Sequence, residues 1–398
     1  MGLERVHTVL DAMGLRQPPF AAIAVAGTNG KGSTVAMLET CLREGGYRVG
    51  AYTSPHLFRY NERVHVDGRD ATDAELCAAF ERVERARGSV PLTYFEFGTL
   101  AAFEIFRAQG VEIAVLEVGM GGRLDAVNAI DADTAIVTSI GIDHTAWLGP
   151  DRETIGHEKA GIFRAHRPAI CGDLQPPASI EQTTERIGAR LLLINRDFFV
   201  ESADSGWVWR FGREARGGLP FPALRGEYQL RNAACALTAL ATLSERFPLS
   251  QTHIRLGLSR ALIPGRLQVL PGLPTRVFDV AHNPDAARAL AEMLRRQFVK
   301  GTTHAVFGML KDKDIAGVAR AMDGVVERWH VATLQTPRTA AAEEILGIFA
   351  AAGIRAPTQS YVDIRAAYAA ACAAAGKDDR ILVFGSFHTV GDILAPSD

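Results

Sequence analysis

The chain has 398 residues, of which 47% are apolar and 22% are charged, a balance typical of a globular protein. Because 43 Lys and Arg nearly balance 45 Asp and Glu, the formal net charge of -2 gives no electrostatic reason to expect nucleic-acid or membrane binding. A chain of this length is long for one hydrophobic core, so two domains are expected.

The cysteines and the first residues predict a cytoplasmic protein. The five cysteines are scattered, without a CxxC pair or a Cys/His metal spacing, and are expected to be reduced thiols. The opening stretch MGLERVHTVLDAMG contains no apolar signal core. No apolar run reaches the roughly 20 residues that a membrane span needs.

Strands and helices alternate in the first part of the chain. Four short apolar runs read as strands: AAIAVAG (21–27), YRVGAYTS (47–54), EIAVLEVG (112–119) and DTAIVTSIG (133–141). Continuous apolar runs are expected in a parallel sheet that is covered on both faces. Helical patterns lie between them, for example over 96–109. This alternation predicts a doubly wound α/β domain.

The alternation of strands and helices is interrupted after residue 190. The stretch 191–224 carries aromatic and β-branched residues around the turn-like GREARGG, which predicts a small antiparallel meander appended to the sheet. A long helix follows over 228–247. Beyond residue 264 the alternation restarts, with strands at 275–281, 303–309, 328–334 and 380–387 and helices at 284–298, 313–322, 340–351 and 363–375. We therefore predict two α/β domains, 1–263 and 264–398.

A glycine-rich loop, Gly27 to Thr34, lies between the first strand and a helix. Glycines let backbone N–H groups approach phosphate oxygens, the helix N-terminus favours negative charge, and Lys31 can reach the terminal phosphates. The loop departs from the common G-x-x-x-x-G-K-[ST] pattern, because Val25 replaces the first glycine and Gly32 follows the lysine. A plain glycine turn is the alternative, and a kinase or simple NTPase could use the same loop.

Polar residues follow the predicted strands, at the edge where ligands bind in open α/β sheets. Ser54 follows the second strand, Glu117 ends the third, and His144 follows the fourth. Such oxygen ligands suit Mg²⁺ bridging phosphates, although His is uncommon. Each of these residues has a structural alternative: Ser54 is a turn former and His144 is an ordinary loop histidine. Lys159, in the motif GHEKAGI, has the alternative of a solvated surface lysine.

Motifs along nearly the whole chain resemble the folylpolyglutamate synthase/dihydrofolate synthase family of the Mur ligase superfamily, the bacterial bifunctional type in particular. In chain order they are VAGTNGKGST, TSPHL with NERV, TYFEFGT, LEVGMGGRLDAVN, TSIGIDH with WLGPDRETIGHEKAGIFR, LIPGRLQ, FDVAHNP, GMLKDKD and FGSFHTV. The resemblance implies a P-loop, Mur-ligase-like central domain with a small antiparallel insert, followed by a smaller Rossmann-like glutamate ligase domain.

The resemblance also implies an activity. ATP phosphorylates a substrate carboxylate to an acyl phosphate, the amine of L-glutamate attacks it, and phosphate leaves. Dihydropteroate would give dihydrofolate, and reduced folates would give folylpolyglutamates. The enzyme is expected to act as a monomer on these small molecules, with ATP as co-substrate and one or two Mg²⁺ ions.

Site residues follow from the resemblance, motif by motif. ATP would be held by Thr28, Asn29, Gly30, Lys31, Gly32, Ser33, Asn232, Arg266 and Asp279. The metal ligands would be Ser54, Glu117, His144 and a carboxylated Lys159, and Lys31, Lys159, His144 and Glu117 would act in catalysis. The pterin end would contact Thr93, Tyr94, Phe95, Leu124 and Asp125, although core packing is the alternative for the two aromatic residues. Glutamate would meet His282, Ser386 and His388.

Two departures from the family pattern bear on specificity. Bifunctional relatives carry an N-terminal segment with a Leu-Gly pterin contact ahead of the position of Met1, so affinity for dihydropteroate is in question. Tyr228 stands where histidine is frequent. A monofunctional folylpolyglutamate synthase, a peptidoglycan Mur ligase and a nucleotide-binding regulator without catalysis are the competing hypotheses.

Overall fold

The computed structural model describes residues 2–203 and 206–395. It divides into two compact units, Met1–Leu262 and Ile263–Asp398. Each unit is built around its own sheet, with a further small sheet in the first.

The first unit contains nine of the helices found in the described residues and the strands that make the first two sheets. The helices are α1 (Glu4–Met13), α2 (Lys31–Glu44), α3 (Asp73–Arg87), α4 (Tyr94–Ala108), α5 (Thr145–Leu148), α6 (Arg152–Ala160), α7 (Ala178–Ile187), α8 (Tyr228–Thr242) and α9 (Gln251–Arg260). The strands are β1 (Ala21–Ala26), β2 (Val49–Tyr52), β3 (Val64–Val66), β4 (Arg69–Asp70), β5 (Ile113–Glu117), β6 (Thr134–Val137), β7 (Pro168–Cys171), β8 (Arg190–Leu193), β9 (Phe198–Ala203), β10 (Gly206–Phe211) and β11 (Glu214–Leu219).

The large sheet has the strand order β4-β3-β2-β5-β1-β6-β7-β8. The six strands β2, β5, β1, β6, β7 and β8 are parallel, whereas β3 pairs antiparallel with both β2 and β4 at one edge. Every residue of β1, β5 and β6 is buried, as their continuous apolar sequences predict. The register aligns Val25 with Glu117 and Ala26 with Val137. The phosphate loop, Glu117 and the residues after β6 therefore leave the sheet at the same edge.

The four strands predicted for this domain are confirmed, but the prediction for the stretch after residue 190 was partly wrong. Leu191 to Leu193 belong to β8, which pairs in parallel with β7 at the edge of the large sheet. A short apolar run does not reveal its partner, and β7 itself was not predicted. The antiparallel part is confirmed as β9, β10 and β11, which form a separate sheet.

The small sheet packs against α8, and Trp209 is hydrogen-bonded to that helix. Trp207 and Trp209 of β10 are almost completely buried. The indole N–H of Trp209 donates to the hydroxyl of Thr238 on α8 at 3.1 Å. The aromatic residues that mark this stretch in the sequence thus anchor the insert to the long helix.

The second unit repeats the strand–helix plan. Its helices are α10 (Pro284–Arg296), α11 (Ile315–Ala321), α12 (Ala342–Ala351), α13 (Ile364–Ala374) and α14 (Phe387–Leu394), and its strands are β12 (Gln268–Leu270), β13 (Thr275–Asp279), β14 (Thr303–Phe307), β15 (Arg328–Ala332), β16 (Thr358–Tyr361) and β17 (Arg380–Phe384). The strand order is β12-β13-β17-β14-β15-β16, parallel except for the edge strand β12.

The predicted strands and helices of this unit are confirmed, but each predicted strand runs two or three residues too far. The predicted last strand ran to Phe387, whereas β17 ends at Phe384 and Phe387 begins α14. The reason is a helix cap, because the Ser386 hydroxyl accepts a hydrogen bond from the Thr389 backbone N–H at 3.0 Å. The edge strands β12 and β16 are additional.

No helix of the described residues is both long and apolar enough to cross a membrane. All five cysteines are free thiols.

Candidate active site

The phosphate loop is fixed by hydrogen bonds to the segment that follows β6. The Thr28 hydroxyl donates to the Gly141 carbonyl at 3.1 Å and lies 2.9 Å from the Gly141 N–H, which donates to it. The Asn29 backbone N–H donates to the Ser139 hydroxyl at 3.1 Å. The segment after β6 therefore fixes the backbone of the phosphate loop.

Lys31, the first residue of α2, folds back over this loop. Its Nζ donates to the carbonyls of Gly27 and Thr28 at 3.1 and 3.3 Å. Gly30 precedes it with φ of 91°, in a region that L side chains rarely adopt. The cation and the start of the helix thus face the same concave backbone, an arrangement suited to phosphate.

Asn232 of α8 lies against the phosphate loop. A Cβ atom added to Gly30 would come within 2.6 Å of Asn232 Oδ1. The Asn232 amide also donates to Gln229 at 2.9 Å, and Gln229 donates to the Ser33 hydroxyl at 3.2 Å. The structure therefore brings together the nucleotide-site residues predicted in the first unit, with Gly32 and Ser33 in the first turn of α2.

Ser54 and Glu117 are neighbours where β2 and β5 end. Glu117 Oε2 accepts a hydrogen bond from the Ser54 backbone N–H at 3.3 Å. The Glu117 side chain is buried, and Ser54 is half-buried. A carboxylate and a hydroxyl are thus adjacent at the sheet edge that carries the phosphate loop.

Lys159, near the end of α6, is only 3% exposed, so the alternative of a solvated surface lysine is wrong. Among the described residues its ammonium group makes no hydrogen bond and no ion pair. Burial and the nearby charge of Lys31 lower the pKa of Lys159 to about 7, against a smaller opposing influence of Asp143 and Asp125. Near neutral pH a large fraction of this amine is uncharged.

His144 is the N-cap of the short helix α5 and has φ of 53°, in the left-handed region. Its backbone N–H donates to Asp143 Oδ1 at 2.8 Å. Asp143 is one of the two carboxylates whose charge acts on Lys159. The loop after β6 thus carries an imidazole next to the carboxylate whose charge acts on the buried amine.

The segment Thr93 to Phe95 begins α4. Thr93 is the N-cap, and its hydroxyl accepts from the Glu96 N–H at 3.2 Å. Tyr94 is 65% exposed, so core packing is wrong for this residue. Phe95 is half-buried, contacts the Tyr52 ring at 5.9 Å between centroids and closely approaches Gly119.

Asp125 lies in the loop that follows β5, next to the half-buried Leu124. Its carboxylate accepts hydrogen bonds from the backbone N–H groups of Met120 and Val127 at 2.9 and 3.0 Å. Burial raises the pKa of Asp125 to about 6, although these N–H groups and Lys31 oppose the shift. The side chain therefore shapes the loop from within.

In the second unit, three of the predicted residues, Arg266, Asp279 and His282, lie around the ends of β13 and β17. The carboxylate of Asp279 accepts from the N–H groups of Leu267 and Ala281, both at 2.8 Å, and burial raises its pKa while Arg266 opposes the shift. The Arg266 guanidinium lies 5.3 Å from the Phe387 ring centroid, and the His282 ring lies 6.1 Å from it.

The remaining two residues of that prediction lie at the start of α14. Ser386 is buried and caps the helix through its hydroxyl. His388 is exposed and its charge acts on Asp392. Within the described residues His388 makes no hydrogen bond or ring contact with Arg266, Asp279 or Ser386, so the structure does not bring it into this group.

Comparisons with known proteins agree with this architecture. The family model of the Mur ligase middle domain matches residues 25–176, and that of the Mur ligase glutamate ligase domain matches residues 265–387. The dihydrofolate synthase/folylpolyglutamate synthase of Escherichia coli K12 is 43% identical over 398 residues, covering 100% of this chain and 92% of the relative. The chain belongs to the dihydrofolate synthase/folylpolyglutamate synthase family.

Solved structures of the family share the fold. Escherichia coli FolC in complex with DHPP and ADP has a TM-score of 0.93 and 43% identity, covering 99% of this chain and 92% of that chain. A bifunctional folylpolyglutamate synthase/dihydrofolate synthase with Mn, AMPPNP and L-glutamate bound has a TM-score of 0.93 and 43% identity, covering 99% and 94%. The predictions of an ATP-dependent ligase of this family, of its fold class and of a divalent metal ion acting with ATP are confirmed.

The residues present fit such a metal ion if the nucleotide supplies some of its ligands. Among the described residues, no three His, Cys, Asp or Glu side chains lie close enough to form a metal site by themselves. The adjacent Ser54 and Glu117 offer oxygen donors at the sheet edge that carries the phosphate loop. Because Mg²⁺ is commonly held by one or two carboxylates plus substrate phosphates, an incomplete protein ligand set is what this chemistry requires.

Sequence reasoning quoted the NERV motif without assigning its residues. Glu62 accepts hydrogen bonds from the backbone N–H groups of Leu57, Phe58 and Arg59 at 2.7, 2.8 and 2.7 Å. Arg63 donates to His56 Nδ1 at 2.9 Å. The hydrogen bonds of Glu62 and Arg63 therefore fix the loop after Ser54. The sequence could have indicated this role, because both residues lie within two positions of the start of β3.

Proposed function

We propose that this ligase adds L-glutamate both to dihydropteroate and to reduced folates, using one acyl-transfer site in the first unit. The observation that carries the proposal is the meeting of four features at one sheet edge. These are the phosphate loop with Lys31, the adjacent Ser54 and Glu117, the loop of Asp143 and His144, and the buried Lys159.

The reaction needs these features because a carboxylate is a poor electrophile. An oxygen of the substrate carboxylate attacks the γ-phosphorus of ATP and ADP leaves, which gives an acyl phosphate. The amine of glutamate then adds to the acyl carbon, loses a proton, and phosphate leaves as the amide forms. Lys31 and the loop N–H groups would stabilise the negative charge on the transferring phosphoryl group.

We assign the phosphates of ATP to Thr28, Asn29, Gly30, Lys31, Gly32 and Ser33, with Asn232 beside them. Ser54, Glu117 and His144 are proposed to hold Mg²⁺, which would neutralise charge on the phosphates when bound. In the second unit, Arg266 and Asp279 are proposed for the nucleotide, and His282 and Ser386 for glutamate. His388 is the least supported, because within the described part of the chain no hydrogen bond or ring contact joins it to Arg266, Asp279 or Ser386.

Lys159 is proposed to react with CO₂ and become a carbamate. An amine attacks CO₂ only in its neutral form, and a pKa near 7 supplies that form at physiological pH, whereas an ordinary lysine at 10.5 would be almost wholly protonated. The reaction forms an N–C bond and releases one proton. The product is an anion beside Lys31. Carbamate formation therefore replaces the repulsion between the two lysine side chains with an attraction between opposite charges.

The pterin end of the substrate is proposed to lie on Tyr94 and Phe95, with Thr93, Leu124 and Asp125 shaping the surface. The large exposed fraction of Tyr94 supports this, since an aromatic ring that is not buried in a core is available for stacking. A cytoplasmic monomer is proposed for the working enzyme.

The test is ADP release with each acceptor, with and without L-glutamate. We expect glutamate-dependent release with dihydropteroate and with tetrahydrofolate, and each product should gain one glutamate by mass. Glutamate-dependent ADP release with tetrahydrofolate but not with dihydropteroate would indicate a monofunctional folylpolyglutamate synthase. ATP binding without glutamate-dependent release, or turnover of a UDP-linked peptide, would contradict the proposal.

A further inference from the structure

Arg63 is a buried cation without an acidic partner. The residue is 9% exposed, yet within the described residues it forms no ion pair with a carboxylate. Arg is rarely buried unless it is paired, because removing a charge from water is costly. A buried guanidinium of this kind calls for an explanation.

The protein fixes the position of Arg63 without neutralising it. Its Nε donates to His56 Nδ1 at 2.9 Å, and its Cζ lies 5.5 Å from the ring centroids of both Tyr60 and Tyr94. Aromatic faces and an imidazole nitrogen stabilise a cation but leave its charge in place. The guanidinium is therefore held in one orientation with its full charge.

The adjacent acid does not pair with Arg63. The carboxylate of Glu62 is occupied by three backbone N–H groups of the preceding loop. The two terminal nitrogens of Arg63 donate no hydrogen bond to the described part of the protein, and neither is fully enclosed. They present the parallel donors that match a carboxylate in a bidentate pair.

The location of Arg63 connects two parts of the proposed site. Its side chain contacts Tyr94, which is proposed to meet the pterin end. Its backbone carbonyl accepts a hydrogen bond from the Thr53 N–H at 2.9 Å, and Thr53 immediately precedes the proposed metal ligand Ser54. A carboxylate held by Arg63 would thus belong to a substrate that extends from the aromatic residues towards the reacting group.

We propose that Arg63 binds the α-carboxylate of the glutamate that a folate substrate already carries, and so discriminates folates from dihydropteroate. This inference rests on the proposed function. A folate presents its γ-carboxylate for reaction and keeps an α-carboxylate three carbon atoms away, whereas dihydropteroate has only the reacting carboxylate. A cation beside the acyl site therefore finds a partner in one substrate and none in the other.

The experiment compares three acceptors in steady-state assays: dihydropteroate, tetrahydrofolate, and tetrahydropteroyl-γ-aminobutyrate, which keeps the γ-carboxylate but lacks the α-carboxylate. The variants are Arg63→Met, Arg63→Lys and the control Arg59→Met. Arg59 lies on the same loop, is exposed, and pairs with Asp73 at 3.1 Å. Circular dichroism and the KM for ATP report on folding and on the nucleotide site.

The wild-type enzyme should prefer tetrahydrofolate to the aminobutyrate analogue by about 10- to 100-fold in kcat/KM, the range expected for a charge-assisted hydrogen-bonded pair. Arg63→Met should reduce that preference to within about threefold, mainly through the KM for tetrahydrofolate, with Arg63→Lys intermediate and Arg59→Met like wild type. A wild-type preference retained by Arg63→Met would overturn the inference, as would equal losses for all three acceptors. An inactive wild-type enzyme would instead contradict the proposed function.

Discussion

The two units each bury ionisable side chains, but they treat them differently. In the first unit, the amine of Lys159 is buried near Lys31 and makes no ion pair or hydrogen bond within the described residues. In the second unit, His304 and His330 are equally buried but hydrogen-bonded to each other at 3.2 Å. A buried group that the protein leaves without a partner indicates a ligand, whereas a group that the protein satisfies itself indicates structure.

The hydrogen-bonded group that contains His304 and His330 extends across four neighbouring positions of the sheet in the second unit. His304 on β14 lies 3.4 Å from Asp379, which precedes β17, and His330 on β15 lies 3.1 Å from the Tyr361 hydroxyl at the end of β16. The three rings are stacked in sequence, 5.5 and 5.6 Å apart. Because this chain of hydrogen bonds runs between strands of one sheet, it contributes to the packing of the unit and needs no substrate.

Replacing Lys159 with Ala is expected to have the largest effect and tests whether the buried amine without a partner serves function. We expect turnover to fall by about a thousandfold, the scale of losing a major electrostatic group at a reacting centre, while the circular dichroism spectrum is retained. The matched control is Lys377→Ala, on the surface of the second unit, which should keep wild-type turnover. Near-normal activity of Lys159→Ala would remove the catalytic role of the buried amine.

Gly30→Ala tests the phosphate loop. An added Cβ would meet Asn232 Oδ1 within 2.6 Å in a backbone of φ 91°, so we expect the Kd for a non-hydrolysable ATP analogue to rise by about tenfold or more. The control is Gly110→Ala, which has φ of 65° but no atom within 4 Å of the added Cβ. Calorimetric titration of both variants separates backbone strain from damage to the nucleotide site.

Replacing Lys159 with Met should stabilise the protein while inactivating it. The folded-state pKa of about 7 is below that of the unfolded chain, so the unfolded state binds the extra proton between pH 7 and 10.5. We expect the free energy of unfolding of Lys159→Met, in buffer without CO₂, to exceed that of wild type at pH 7 by on the order of 1 to 3 kcal/mol. The difference should shrink as pH rises towards 10; an unchanged difference would contradict the lowered pKa.

The smallest effect is expected for His330. Burial, with the charges of His304 and Arg328, lowers the pKa of His330 to about 4, so the unfolded chain takes up a proton at this site as pH falls below 6.5. Acidification from pH 7 to 5 should therefore cost wild type about 1 to 2 kcal/mol at this residue, and His330→Phe should lose less. Urea unfolding at both pH values measures this, and ligase activity of the variant at pH 7 should remain near wild type.

The sequence predicted the site residues at the carboxyl ends of the strands better than the buried residue on a helix. The positions of Gly27 to Thr34, Glu117 and His144 follow from apolar runs that end in polar residues, because parallel strands place their carboxyl ends together. Lys159 could not be located in this way. The two residues before it on α6 are exposed (His157) and partly exposed (Glu158), and only tertiary packing reveals that Lys159 is buried.

Long-range pairing explains the other differences. The run Leu191 to Leu193 is apolar enough for either sheet, and its place was decided by pairing with β7. The role of Arg63 depends on Tyr94, thirty-one positions later in the chain, and on His56, with which it forms a hydrogen bond across a loop. Such contacts leave no periodic signal in the sequence.

The most direct measurement is ¹³C NMR of the enzyme equilibrated with ¹³C-labelled bicarbonate, combined with ligase activity after CO₂ is removed and restored. A carbamate resonance should be present in wild type and absent in Lys159→Ala. Activity should fall without CO₂, return with it, and at fixed dissolved CO₂ rise with pH through about 7 as the amine of Lys159 loses its proton. Identical spectra for the two proteins, together with full wild-type activity in the absence of CO₂, would contradict the proposal that Lys159 serves the ligation as a carbamate.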